Sequence, residues 1–298
     1  MNSSAALRRR LTPLEPVLQR LEHEDRLDEP AKLIGKTVRG QLSSQPLKDV
    51  LSGTWLGHAV HPMLTDIVIG SFISTTLLDL FGGDESGTAG TRLNTLGVLA
   101  YPPTALTGLN DWADTEIADD TVRRVGLVHA AGNAVALTLY VGSLVARRRG
   151  RRGRARLFSV LGGGVLMVGG YLGGHMSLSQ GVGPDQTIFD AGPSDWAEAG
   201  PASALSQGEP ARVVVDDTPV LLLRDGEQIF AIHDRCSHRG CSLSEGSVEG
   251  EEIVCACHGS RFDRRTGSVR QGPATAPQPA FEVRERDGTI EIRRANVF

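Results

Sequence analysis

The 298 residues are 40% apolar and 22% charged, with a net charge of −4. That balance excludes a disordered or collagen-like chain and gives no global case for nucleic acid as a partner. Four cysteines are too few for a disulfide scaffold, and all of them fall between 236 and 257.

Residues 1–57 are polar and read as an N-terminal arm of short amphipathic helices on a protein or membrane surface. Leu14, Val17, Leu18 and Leu21 form one helical stripe, and Leu33, Ile34, Val38 and Leu42 a weaker second. Arg8, Arg9 and Arg10 precede Thr12, Pro13 and Glu15 rather than an apolar run, so no cleavable signal is expected.

Four nearly charge-free stretches follow, over about 62–81, 93–110, 125–146 and 157–174. A membrane span needs roughly 17–25 apolar residues. The expectation is a four-helix transmembrane domain over 58–178. Asp66 and Asp79 lie near the ends of the first stretch, and the second contains Pro102 and Pro103. In the fourth, the pairs Gly169/Gly173 and Gly170/Gly174 suit close helix packing. Its glycines do not follow a strand, so they are not read as a dinucleotide fingerprint. The loop 147–156 holds seven arginines in ten residues. The positive-inside rule puts it in the cytoplasm and both termini on the outer face of the cell membrane. That topological reason also accounts for the arginines without nucleic acid.

Residues 179–195 are rich in Gly, Pro, Asp and Ser and read as a linker. Over 196–298 the period shortens to β-like runs at 212–215, 219–223, 228–232, 252–254, 280–284 and 289–293, broken by Asp225-Gly226 and Asp287-Gly288. The expected fold is mixed: a helical bundle followed by a small all-β domain.

Two boxes in that domain carry chemistry: Cys236-Ser-His238-Arg-Gly-Cys241 and Cys255-Ala-Cys257-His258-Gly-Ser260. Two Cys/His pairs on two loops offer ligands for a tetrahedral zinc, or for a [2Fe–2S] cluster with the cysteines on one iron and the histidines on the other. Spacing leaves both open.

The boxes, with Gly272-Pro273-Ala274 and the strand pattern, resemble the Rieske iron–sulfur family over 196–298. The resemblance implies a [2Fe–2S] cluster on Cys236, His238, Cys255 and His258, and a Cys241–Cys257 disulfide. That disulfide is the pattern of quinol-oxidising members and fits an oxidising compartment. Imidazoles in place of two thiolates raise the reduction potential and couple electron to proton transfer. Ser260, Phe262, Gly272 and Pro273 would surround the cluster. Two departures matter. Phe262 stands where high-potential members carry a tyrosine bonded to a ligand sulfur, and Arg239 where quinol-oxidising members carry a leucine. The expectation is a potential below the respiratory range and no quinol docking in the same manner.

His61, His129 and His175 fall at one end of the helical domain, the end that carries the β domain, near Asp66, Asn110, Asp111 and Asn133. Intramembrane polar groups are costly and often functional. A polar cap, a quinone or proton pocket, and a haem b or metal site all remain open. Residues 54–79 and the YLGGH of 171–175 resemble an uncharacterised bacterial four-helix membrane domain over about 50–178, which adds no chemistry. Arg151, Arg152 and Arg154 loosely resemble a twin-arginine export signal. The overall expectation is a membrane-anchored electron carrier whose partner is a quinol or a redox protein. A redox sensor or structural subunit is the alternative. A complete ring-hydroxylating oxygenase is not expected, because such enzymes place a large iron domain after the Rieske part.

Overall fold

The computed structural model describes residues 14–295; the arginines at 8–10 and the last three residues lie outside that range. Among the described residues, three short helices form the arm: α1 (Glu15–Glu22), α2 (Asp28–Gln41) and α3 (Gln45–Ser52). Prolines stand in the first turns of α1 and α3, where a missing N–H costs nothing. The first stripe turns Leu18 inward against Val125 and Leu172. The second stripe forms the outer side of α2. Ala31 and Gly35 are the buried residues of α2, while Leu33 and Ile34 are exposed. Small residues let α2 approach closely enough for Arg39 to bond Glu116 at 2.7 Å.

Four long helices follow: α4 (Val60–Phe81), α5 (Gly87–Thr115), α6 (Asp120–Arg148) and α7 (Arg152–Leu178). Each packs on the next, and α7 closes against α4. Their centre is Phe72 stacked on Tyr140, with ring centroids 3.9 Å apart. Gly97 lies against the Phe72 ring and Gly162 against that of Tyr140, where a side chain would collide. The Tyr140 and Thr76 hydroxyls share a 2.7 Å bond, and Asn94 Nδ2 donates to the Tyr140 carbonyl at 3.1 Å. At the arginine-loop end Arg147 pairs with Asp79, to which Ser159 also donates.

Three of these helices, α4, α6 and α7, are long and apolar enough to cross a membrane. The fourth expected span differs. At 29 residues α5 is long enough, but it is not among those that are apolar enough. It buries Asn94, Thr104, Thr107, Asn110 and Asp114 among its neighbours. Its polar groups therefore face protein, where Asn94 Nδ2 donates to Tyr140 O, Thr104 Oγ1 to Ala100 O, and Asp114 Oδ1 accepts from Lys48.

The C-terminal domain has ten strands: β1 (Ala197–Pro201), β2 (Pro210–Val215), β3 (Thr218–Asp225), β4 (Gln228–His233), β5 (Ser247–Glu249), β6 (Glu252–Val254), β7 (Arg261–Asp263), β8 (Val269–Gln271), β9 (Phe281–Arg286) and β10 (Thr289–Arg294). They form three antiparallel sheets, ordered β1-β10-β9, β2-β3-β4 and β5-β6-β7-β8. Strand β3 contributes to two cores: Leu221 and Leu223 to one, Val220 and Leu222 to the other. That division follows from the two-residue side-chain period of a strand.

The segment read as a linker is tied down instead. Gln186 N donates to Ser237 O at 3.0 Å, Asp190 accepts from Thr218 at 2.6 Å, and Arg294 N donates to Pro193 O at 2.7 Å. His233, wholly buried, lies 3.1 Å from Asp190. Glycine and proline set the path of this strap, while its backbone groups and the Asp190 carboxylate bind the β domain.

Candidate metal centre

Two loops of matching construction carry the Cys/His boxes. One follows β4 and the other joins β6 to β7. In the first, Gly240 N donates to Cys236 O at 2.8 Å and Cys236 N to Cys241 O at 2.8 Å. In the second, Gly259 N donates to Cys255 O at 3.0 Å and Cys255 N to Ser260 O at 2.9 Å. Each loop turns at a glycine four residues after its cysteine, with φ of +76° and +75°. Only glycine takes that backbone at no steric cost, so C-S-H-R-G and C-A-C-H-G fold alike.

The Cys241–Cys257 disulfide clamps the loops together, as the resemblance implied. Cys236 and Cys255 are free and buried. The sulfur of Cys255 lies within 4.8 Å of both sulfurs of the disulfide. The His238 and His258 rings stand edge to face, with centroids 4.9 Å apart. The two loops thus carry a pair of free thiols and a pair of imidazoles.

Electrostatics prepare them for a metal. Cys236 donates a hydrogen bond to Cys255, which brings the Cys255 thiol down to about 6 and pushes that of Cys236 up. Backbone N–H groups of His238 and Arg239 reach the Cys236 sulfur, and those of Cys257 and His258 reach Cys255. These donors stabilise thiolates, the form that binds metal. Burial, with His258, Arg239 and Lys48 nearby, lowers His238 to about 3 and keeps its ring neutral. Burial likewise lowers His258. Neutral imidazole is the ligating form.

One observation tests the fit of a cluster here. Nδ1 of His238 and Nδ1 of His258 are buried and have no hydrogen-bond partner. Buried polar nitrogens are normally satisfied. Two orphaned imidazole nitrogens beside two free buried thiols match the donor set of a Rieske centre.

Around the centre, Ser260 is wholly buried and its Oγ accepts from Ala274 N at 3.0 Å. Phe262 is also wholly buried, in one core with Cys236, Cys255 and Ala274. The Gly272–Pro273 bond is cis. A Phe262→Tyr chain restores the missing hydroxyl and is expected to raise the midpoint potential, read by redox titration. An unchanged potential would show that the ring position is electronically inert.

The membrane-end histidines are engaged by protein groups. His61 Nδ1 bonds Thr104 O at 3.0 Å, and His129 Nδ1 bonds Gly169 O at 2.8 Å. Asn133 reaches the His129 ring at 3.0 Å, and His175 bonds Glu22 of α1 at 2.9 Å. Gly169 and Gly173 of α7 make room for Asn133 and His129 respectively, so this small-residue pair accepts side chains. Asp66 is exposed on α4 and joins none of these bonds. Each ring is thus held by protein groups, and the haem expectation finds no support in them.

Sequence reasoning missed the polar floor beneath the ligand loops. Lys48, Asp49, Thr54, Asp114 and Asp119 come from the arm and the helix ends. Arg239 Nη2 lies 3.1 Å from Asp119 Oδ2, and Arg239 Nη1 donates to Gln180 O at 3.0 Å. Asp119 also caps α6, accepting from the N–H groups of Thr121 and Val122. Burial would raise its pKa; the Val122, Thr121 and Arg239 contacts outweigh that and hold it below the ordinary carboxylate range. The departure at Arg239 thus has a partner within the chain.

Comparison with known proteins accords with this geometry. The family described as "Rieske [2Fe-2S] domain" matches residues 195–282, and "Predicted membrane protein (DUF2231)" matches 57–186. The anthranilate 1,2-dioxygenase ferredoxin subunit of Burkholderia cepacia is 35% identical over 99 residues, 33% of this chain and 92% of the relative. The chain belongs to the Rieske [2Fe–2S] family. Ferredoxin CarAc of Metapseudomonas resinovorans is 36% identical over 98 residues, again 33% of this chain and 92% of its own length. Among solved structures, the ferredoxin of carbazole 1,9a-dioxygenase from Nocardioides aromaticivorans IC177 is 32% identical, with a TM-score of 0.33. It aligns over 34% of this chain and all of that one. The Rieske domain therefore carries a [2Fe–2S] electron-transfer role, joined to a predicted membrane-protein domain.

Proposed function

We propose that this protein is a membrane-anchored one-electron carrier in which Cys236, His238, Cys255 and His258 hold a [2Fe–2S] cluster. The orphaned, buried histidine nitrogens together with two free buried thiols carry this reading. When bound, the cluster accepts and releases one electron at a potential raised by its neutral imidazoles. The chain's own residues do the rest. Backbone N–H groups at both cysteines stabilise the sulfurs, Ser260 offers a hydroxyl, and the disulfide fixes the loop spacing.

The proposed division is an arm over 1–57, a four-helix membrane domain over 58–178, a strap over 179–195 and the Rieske domain over 196–298. Exposed Ile67, Leu77, Leu99, Val141, Leu161 and Val168 on α4 to α7 support seating in a bilayer. We place α5 as the fourth span, its polar side turned inward. The arginine loop lies in the cytoplasm and the Rieske domain outside, supported by the positive-inside rule and the disulfide. The donor is a quinol or membrane redox protein. The relatives' names tie them to dioxygenases, which supports a protein acceptor of the oxygenase type.

Electron paramagnetic resonance of membranes reduced with dithionite tests the cluster. A Rieske-type signal with two irons per chain is expected; stoichiometric zinc without that signal would reject the reading. Impermeant thiol labelling of Gly150→Cys in intact cells tests sidedness. Labelling only after lysis is expected, and labelling from outside reverses the topology.

A further inference from the structure

The Rieske domain rests on the arm and the helical domain at two anchors, one at the Gly272–Ala274 loop after β8 and one at the first ligand loop. On one flank, Gly272 N donates to Asp49 Oδ1 at 3.0 Å and Thr54 Oγ1 donates to Ala274 O at 3.4 Å. On the other, Arg239 lies 3.1 Å from Asp119. Beside Asp49 in the chain is Lys48, whose Nζ lies 2.7 Å from Asp114 Oδ1 on α5. The Asp114 side chain is only 8% exposed. Lys48 acts electrostatically on both His238 and His258, and Asp114 acts on His258.

Two orphaned sets of atoms occur here. Asp114 Oδ2 is buried without a partner, and so are both ring nitrogens of His258. A metal accounts for only one of those nitrogens, because an imidazole ligates through a single nitrogen. The other is an N–H donor that needs an acceptor. Metal-bound histidines characteristically donate their second N–H to a carboxylate, a backbone carbonyl or water, which fixes the tautomer and the ring orientation.

We propose that Asp114 is the positioning residue of the metal centre: its Oδ2 accepts the Nε2–H of His258, directly or through one water, and Lys48 holds the carboxylate in place. The helical domain thereby supplies an outer contact to a ligand in the Rieske domain. The inference rests on the ligand role of His258. A carboxylate beside the ligand disfavours an added electron, and an ammonium favours it. Docking of the Rieske domain onto the arm thus sets its potential.

The test is a dithionite titration of the full chain in lipid nanodiscs at one fixed pH, followed by electron paramagnetic resonance. Asp114→Asn is expected to raise the midpoint potential and shift the g-values, and Lys48→Met to lower the potential. In an Arg239→Glu background, which repels Asp119 and opens the interface, Asp114→Asn is expected to leave the potential unchanged. Shifts of the same sign from both variants overturn the proposal. So does no shift from Asp114→Asn, or an undiminished shift in the Arg239→Glu background. Should Asp114→Asn not accumulate, Lys48→Met decides: a fall supports the proposal, and an unchanged or raised potential overturns it. A wild-type chain without the Rieske signal would instead fail the ligand reading. A wild-type signal with insensitive variants fails the Asp114 role alone.

Discussion

A Cys255→Ser chain is expected to contain almost no iron, to lack the visible absorption of the cluster, and to give no Rieske signal on reduction. Serine is nearly isosteric, but its hydroxyl does not ionise near neutral pH and its hard oxygen suits the iron poorly. The loss reaches beyond the metal. Metal binding is coupled to folding, so the loops lose the ligand that holds them together. Cys236, Cys255 and Phe262 share one core with Leu221 and Ile253, and an empty site leaves unpaired imidazoles within it. The Rieske domain should therefore unfold at a lower denaturant concentration. The long helices have their own core around Phe72 and Tyr140 and should keep their helical signal. Iron analysis with far-ultraviolet circular dichroism separates the two effects. Wild-type iron in the variant would remove Cys255 from the ligand set.

The paired change Cys241→Ala/Cys257→Ala should be the second-largest loss. The disulfide joins positions 16 apart, and chain-entropy arithmetic for a loop of that size gives about 3 kcal/mol at 25 °C. Its contribution is concentrated at the ligand loops, since each half-cystine belongs to one Cys/His box. Unfolding in urea, followed by bleaching of the visible bands, measures it. The midpoint is expected to fall and the cluster to bleach faster under reductant. Equal midpoints for variant and wild type would show that the cluster alone fixes the loop spacing.

Local patterns made much of this legible. The charge-free stretches lie inside α4 to α7, because burial and lipid exposure both demand apolar side chains. The Cys/His boxes and their glycines could be read because ligands and turn residues must sit at fixed spacings. Strands β5, β7 and β8 span three residues each, too few for an alternation to show. β1 reads Ala-Glu-Ala-Gly-Pro, a composition poor in strand formers. On α2 the large apolar residues drew attention away from Ala31 and Gly35, which make the contact. The polar floor had no signature at all. Lys48 and Asp114 lie 66 positions apart, and no periodicity links them.

The arm's contacts also bear on the order of assembly. α2 and α3 leave the ribosome before any partner exists. Arg124 closes on Asp28 across 96 positions, and Gly272 on Asp49 across 223. Loop-closure entropy rises only slowly with length, so such distant contacts form readily once both sides are present, but they form late. Domains fold in order of synthesis. The arm is therefore satisfied in two stages: Asp28, Arg39 and Lys48 wait for α5, α6 and the turn between them, and Asp49 waits for the Rieske domain. Protection of α2 from protease during synthesis would mark the folding of the helical domain, and protection of α3 the docking of the Rieske domain.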